Sequence, residues 1–117
     1  MRKSEHKIHP ALKQQVNQML VQTIVDIKST EDAKTFLSHF FTETEFDMFA
    51  KRLAVGYWLK KERSYANIKD NLKVSSATIA SVQEMLKKQG FKKAIKNLEA
   101  EEWANQWSAR IKKLIRK

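Results

Sequence analysis

The chemically capable side chains that cluster in this chain are hydroxyls, amides and lysines, and they gather in one stretch. From Ser64 to Leu86 the sequence reads S-Y-A-N-I-K-D-N-L-K-V-S-S-A-T-I-A-S-V-Q-E-M-L. Ser75 stands where it can cap a helix that begins after it, its oxygen accepting from backbone N–H groups that have no partner inside the helix. Ser76, Ala77 and Thr78 then occupy the first turn. Being small or polar, they let a helix N-terminus, with its partial positive charge, come close to a phosphate or a base edge. Ala80, Ser81, Gln83 and Lys87 share the outward side of the same helix, and Lys69 and Lys73 flank the turn before it. Two such lysines are placed to grip a phosphate backbone. The chemistry on offer is recognition of a polyanion.

Other groups carry less. The chain has no cysteine, which excludes a disulfide, a thiolate zinc site and a cysteine nucleophile. His6 and His9 lack a third ligand and read as part of a solvated tail. His39 sits among Phe36, Phe40 and Phe41, with no serine, cysteine or carboxylate tied to it by a motif, so it reads as a packed or half-exposed residue. Glu43, Glu45 and Asp47 are accounted for as N-terminal helix charges. Tyr65 can reach phosphate through its hydroxyl or help to fill a small core. Trp103 and Trp107, one helical turn apart, read as a core or dimer contact ahead of base stacking. With no glycine-rich phosphate loop, no nucleophile–base pair and no metal set, no enzyme, cofactor or metal centre is expected.

The elements that position these residues follow from punctuation and period. The chain has 117 residues, one domain by length, and only 2 glycines and 1 proline interrupt it, which favours long helices over sheet and tight turns. Pro10 suits the first turn of a helix in which Leu12, Val16, Met19, Leu20, Ile24 and Ile27 make an apolar stripe, ending near Lys28. Ser29 and Thr30 cap a second helix, with Glu31 and Asp32 in its first turn and Ala33, Phe36, Leu37, Phe40 and Phe41 on one side. The T-E-T-E of Thr42–Glu45 is a capping box that opens a third helix running to about Lys61. That helix is apolar on two faces: Phe46, Phe49, Ala50, Leu53 and Tyr57 on one, Met48, Val55, Trp58 and Leu59 on the other. Two apolar faces need partners on two sides, and in so short a chain the nearest second partner is another copy of itself.

Beyond these come Tyr65–Leu72 and a helix after Ser75, with Ile68, Leu72, Val74, Ile79, Val82 and Leu86 turned inward, as two short helices crossing around a small core require. The plain alternative is an ordinary αα-hairpin. Gly90 reads as a C-cap after Lys87, Lys88 and Gln89, followed by a short amphipathic piece from Phe91 to Leu98. From Glu99 onward Trp103, Trp107, Ile111 and Leu114 form a stripe with Arg110, Lys112, Lys113, Arg116 and Lys117 opposite. Such a helix can pack on a dimer, extend along DNA, bind another protein or lie on a membrane surface. The formal net charge of +10 favours nucleic acid as partner, ahead of an anionic membrane. Met1–His9 lacks the apolar core of a signal peptide, and no apolar run approaches the ~20 residues that span a bilayer, so a cytoplasmic protein with no membrane partner is expected.

The run Y-A-N-I-K-D-N-L-K-V-S-S-A-T-I, after a helix containing K-R-L-A-V-G-Y-W-L, resembles the Trp repressor-like family, and within it the YerC/YecD-like branch. The likeness covers about Phe36 to Leu98, and V-S-S-A-T-I at Val74–Ile79 is its most specific part. It implies an all-α domain with a central helix-turn-helix, an intertwined dimer, and a transcriptional regulator whose two recognition helices enter successive major grooves of double-stranded DNA. On this reading residues 1–98 form the DNA-binding domain, with 1–9 a flexible arm and the helix-turn-helix at about 64–89, and 99–117 form an amphipathic basic C-terminal helix. Three positions depart from the pattern. Ala80 and Ser81 stand where the branch carries serine and arginine, and Lys73 stands where the turn usually has glycine, which costs about 1 kcal/mol if φ is positive there. The arginines that sandwich the corepressor indole in the Trp repressor itself correspond to Lys51 and Ser81. Serine cannot stack on a ring, so tryptophan is not expected as corepressor, and no other small-molecule effector is named by the sequence. The DNA contacts expected are Lys69, Lys73, Ser75, Ser76, Ala77, Thr78, Ala80, Ser81 and Lys87. A protein–protein adaptor, or a non-specific architectural DNA-binding dimer of the same fold, is the alternative.

Overall fold

A computed structural model describes residues 7–105 and 113–114. The expectations for His6 and for Trp107, Arg110, Ile111, Lys112, Arg116 and Lys117 lie outside the described residues. Those described are all helical, without a strand: α1 (Pro10–Val25), α2 (Thr30–Phe40), α3 (Glu43–Lys60), α4 (Tyr65–Leu72), α5 (Ser76–Met85) and α6 (Gln89–Asn105). Two compact units divide between Thr42 and Glu43.

The first unit holds α1 and α2. His9 caps α1, its Nδ1 accepting from the Ala11 N–H at 3.1 Å, and Pro10 takes the first helical position, where its missing N–H costs nothing. The helix stops at Val25, before the Lys28 expected, with Asp26 as C-cap. Ser29 then caps α2 through the Asp32 N–H at 3.0 Å. Neither helix buries a residue. Phe36 and Phe40 stack at 5.0 Å, and with Val16, Met19 and Leu20 of α1 they line an apolar groove of about 350 Å³.

The second unit is built on α3, which α4, α5 and α6 all contact; α4 and α5 also contact each other. Its core is Val55, Ile68, Ile79 and Val82, with Trp58, Leu59, Leu72, Val74 and Phe91 packed around them. One of the two apolar faces expected of α3 therefore finds its partners inside the chain. They cover only the later half, Val55–Tyr57 being buried, while Phe46 and Met48 in the first half stay exposed. At Gly56 α6 comes close: a Cβ there would meet the Phe91 ring at 2.6 Å and Ile95 Cδ1 at 3.3 Å. Further along, the Tyr57 hydroxyl donates to Glu102, and Lys61 Nζ lies 2.9 Å from the same carboxylate oxygen. Burial above all, then the Glu102 and Glu99 carboxylates, push the Tyr57 hydroxyl pKa well above its ordinary value.

Gly90 is not a C-cap. Helix α5 ends at Met85, and the chain turns into α6 through Leu86, Lys87 and Lys88, whose N–H groups bond to the carbonyls of Val82, Glu84 and Met85. No residue in that turn needs a left-handed backbone, and Gly90 lies in the first turn of α6 with φ negative. The piece Phe91–Leu98 is the middle of this longer helix, which runs through Glu99 to Asn105. Among the described residues the positive-φ positions are instead Glu62 and Lys73. Glu62 closes α3 in a Schellman motif, with Glu62 N–H to Leu59 O and Arg63 N–H to Trp58 O.

Candidate nucleic-acid interface

Helices α4 and α5 run over the spans that their periodicity predicts, and each start is set by a serine. Ser64 Oγ accepts from the Asn67 N–H and Ser75 Oγ from the Thr78 N–H, both at 3.1 Å. Between them Lys73 turns the chain at φ 56° and ψ 51°, its N–H returning to Lys69 O. The anticipated strain at this glycine-like position is thus present. Ile68 and Ile79 lock the crossing from inside, both with 0% of their surface accessible.

Two polar contacts brace these helices from outside. The Tyr65 hydroxyl donates to Gln83 Oε1, tying the first residue of α4 to the later part of α5. Tyr65 therefore neither fills the core nor keeps its hydroxyl for phosphate alone. Arg63 stacks over Trp58 at 4.3 Å and donates to Asn67 Oδ1 at 3.0 Å, joining the end of α3 to α4. The role of Arg63 was missed in the sequence, because it lies in the turn between α3 and α4, where helical spacing gives no signal.

The surface this scaffold presents is the one expected by position. Lys69, Lys73, Ser75, Ser76, Ala77, Thr78, Ala80, Ser81 and Lys87 are all exposed. Ser75 donates its own hydrogen to Thr78 Oγ1 at 3.0 Å, which leaves the Thr78 hydroxyl with a hydrogen to give outward. Thr78 N–H is capped and Ile79 N–H bonds to Ser75 O, so the N–H groups of Ser76 and Ala77 remain for an external acceptor. The start of α5 thus offers backbone donors, the hydroxyls of Ser76, Thr78 and Ser81, and the methyl groups of Ala77 and Ala80, suited to phosphate oxygens, base acceptors and thymine methyls.

Lys87 differs from the turn lysines. Its Nζ lies 3.1 Å from both oxygens of Glu84, an acidic residue on the exposed side of α5. An ion pair this exposed is weak, yet it lowers the charge that the later part of α5 presents. Lys69 and Lys73 form no ion pair among the described residues.

Among the described residues no helix is long and apolar enough to cross a membrane, and no group of three or more histidine or acidic residues could hold a metal ion. A family model described as Trp repressor protein matches residues 14–101. No curated protein and no solved structure gives a significant match.

Proposed function

The chain belongs to the Trp repressor family, a family of helix-turn-helix DNA-binding regulators rather than enzymes, and from that premise we propose that it is a cytoplasmic transcriptional regulator of the YerC/YecD-like kind, binding double-stranded DNA with sequence preference as a homodimer. The observation that carries this is the first turn of α5: capped, exposed, free of bulky side chains, and edged by two unpaired lysines. Lys69 and Lys73 hold phosphates. Ser75, Ser76, Ala77, Thr78, Ala80 and Ser81 approach base edges and the nearest backbone. Lys87 adds a phosphate contact where it can leave Glu84. No arginine stands in α5, so preference rests on Thr78, on water and on DNA shape, and discrimination is modest. Tryptophan is not the corepressor, because Ser81 offers no stacking plane and Lys51 lies 3.8 Å from Asp47.

Dimerisation is supported by the apolar surface left on the chain. The side chains of Leu12, Val16, Met19 and Leu20 on α1 are exposed, as are Phe46 and Met48 on α3. A second copy is the occupant that such surface fits, since two-fold DNA sites call for two recognition helices.

The test is selection from a random pool of double-stranded DNA at two salt concentrations. A two-fold-symmetric motif with half-sites about one helical turn apart, roughly 34–36 Å, is expected. Thr78→Val changes the ranking of selected sites, whereas Lys69→Gln weakens all of them alike and lowers the salt slope by about 1, the share of a single phosphate. Binding without a motif that vanishes with salt overturns sequence preference and leaves an architectural role. Absence of any DNA binding leaves the adaptor.

A further inference from the structure

Helix α6 turns the apolar residues of its first half toward α3. Phe91 and Ile95 are spent against α3, where Phe91 packs on the core and Ile95 is 1% exposed. The opposite side is basic. Lys92, Lys93 and Lys96 are exposed and, like Lys88 in the turn before them, form no ion pair among the described residues. The acidic residues of the helix do not cancel this charge. Glu102 is held by Tyr57 and Lys61, Glu99 is half-buried with its field acting on Tyr57, and the exposed Glu101 falls at helical spacing on the side away from Lys92 and Lys96.

At helical spacing Lys92, Lys96 and Trp103 fall on one line, with Lys93 beside it. Trp103 is 86% exposed, the most exposed of the large apolar side chains described. From Lys92 to Trp103 the line runs about 16 Å, roughly the length of five nucleotides of one strand. A row of unpaired ammonium groups ending in a bare indole is an arrangement that takes a phosphate backbone, with the ring against an adjoining sugar.

From this we infer that the outer face of α6 is a second DNA-binding surface, separate from the first turn of α5, which holds the backbone of duplex flanking the site that α5 reads. The identity of the partner as DNA rests on the helix-turn-helix reading above; the location of the contact does not. Two observations favour nucleic acid over an anionic membrane. A surface-lying helix needs a broad apolar face for the lipid, and that of α6 is already covered by α3. The exposed side offers lipid a single large apolar residue among lysines. The stripe is also continuous with the helix-turn-helix, since α6 starts within one turn of the end of α5. Helix α5 is 10 residues long, about 15 Å, so the end from which the chain turns into α6 is the one away from its N-terminal first turn.

The experiment compares the full chain with a Lys92→Gln, Lys93→Gln, Lys96→Gln triple variant and with Trp103→Ala, each checked for an unchanged helical melt. Affinity is measured against salt on a duplex just covering the selected site and on one extended by about one helical turn at each end. On the extended duplex the triple variant is expected to lose tenfold or more at low salt. Its slope of log affinity against log salt should fall by about 2 to 3 per protomer, at about 0.9 per phosphate neutralised. On the short duplex it should match the wild type. Trp103→Ala, which removes no charge, weakens binding to the extended duplex with the slope unchanged. A triple variant with wild-type affinity and slope on both duplexes overturns the α6 surface while leaving the helix-turn-helix proposal intact. Loss confined to vesicles containing anionic lipid, with DNA binding untouched, overturns it in favour of a membrane. Wild-type protein that binds neither duplex overturns both proposals. Thr78→Val chains that lose site preference but keep salt-sensitive binding to the extended duplex, binding that the lysine triple variant reduces, support this surface on its own.

Discussion

Lys73 sits at φ 56° and ψ 51°, a backbone that a residue with a Cβ adopts at a cost of about 1–2 kcal/mol and glycine adopts freely. Its side chain is exposed and unpaired at the edge of α5. Retention of lysine at such a point is consistent with a charge used outside the fold. Lys73→Gly relieves the strain but gives the unfolded chain more freedom, an opposing effect of about 0.4–1 kcal/mol. The net is a stabilisation of about 0.5 kcal/mol, a rise in melting temperature of about 2–4 °C for a domain of this size. DNA affinity should fall at the same time, and by as much as in Lys73→Ala, which keeps the strain and removes only the charge. A calorimetric melt and a salt titration on the three proteins separate the two effects. A glycine variant less stable than the alanine variant would mean that the turn tolerates a Cβ without strain.

The seat of α6 on α3 belongs to the scale of elements. A Cβ at position 56 would lie 2.6 Å from the Phe91 ring, so Gly56→Ala must push the ring aside or part the helices, at about 1–3 kcal/mol. In the Phe91→Leu background the same change should cost much less, and a double-mutant cycle by chemical denaturation measures that coupling. The Tyr57–Glu102 contact fastens the other end of the interface. The raised Tyr57 pKa means that folding favours the protonated hydroxyl. Its stabilisation is therefore complete below the unfolded value of 10.0 and is lost progressively as pH rises above it. Tyr57→Phe should lower stability by about 1 kcal/mol at neutral pH, and the gap between the two proteins should narrow above pH 10. A gap that stays constant through alkaline titration denies Tyr57 this linkage. These long-range details also mark where the sequence stops being legible. Helices α4 and α5 could be bounded closely because a capping serine and an apolar period are local signals. Gly56 shows no such signal, since what it must clear lies on another helix, and Tyr57 and Glu102 are 45 residues apart. Gly90 misleads for a related reason: glycine favours a left-handed cap only where the chain needs one, and a turn closed by short-range N–H bonds removes that need. The nine proposed contact positions could be named from local spacing and are each exposed, whereas the lysine stripe of α6 emerges only once Phe91 and Ile95 are known to face α3.

At the scale of the whole molecule the unanswered demand is for a cover over α1. A helix of 16 residues is near the length at which an isolated helix is only marginal in water, and most helical stability in proteins comes from burying an apolar face. Helix α1 buries none of its residues, and Met19 is 69% exposed. If a second copy supplies the missing cover, stability must depend on protein concentration, because association stabilises only the folded chain. The melting temperature of the wild type should therefore rise with concentration, and sedimentation equilibrium should give a dimer at micromolar concentrations. Leu20→Glu places a charge in the apolar groove beside Phe36 and Phe40. It should yield a monomer whose melt no longer depends on concentration. The core around Val55, Ile68, Ile79 and Val82 contains no residue of α1, so this variant should keep most of the helicity of residues 43–105. Its affinity for a two-fold DNA site should fall by about 10²–10⁴, the advantage that linking two half-site contacts confers, while affinity for a single half-site stays near that of one protomer. A wild-type chain that sediments as a monomer and melts independently of concentration, with DNA affinity unmoved by Leu20→Glu, would sink the dimer and require α1 to be covered by a different protein.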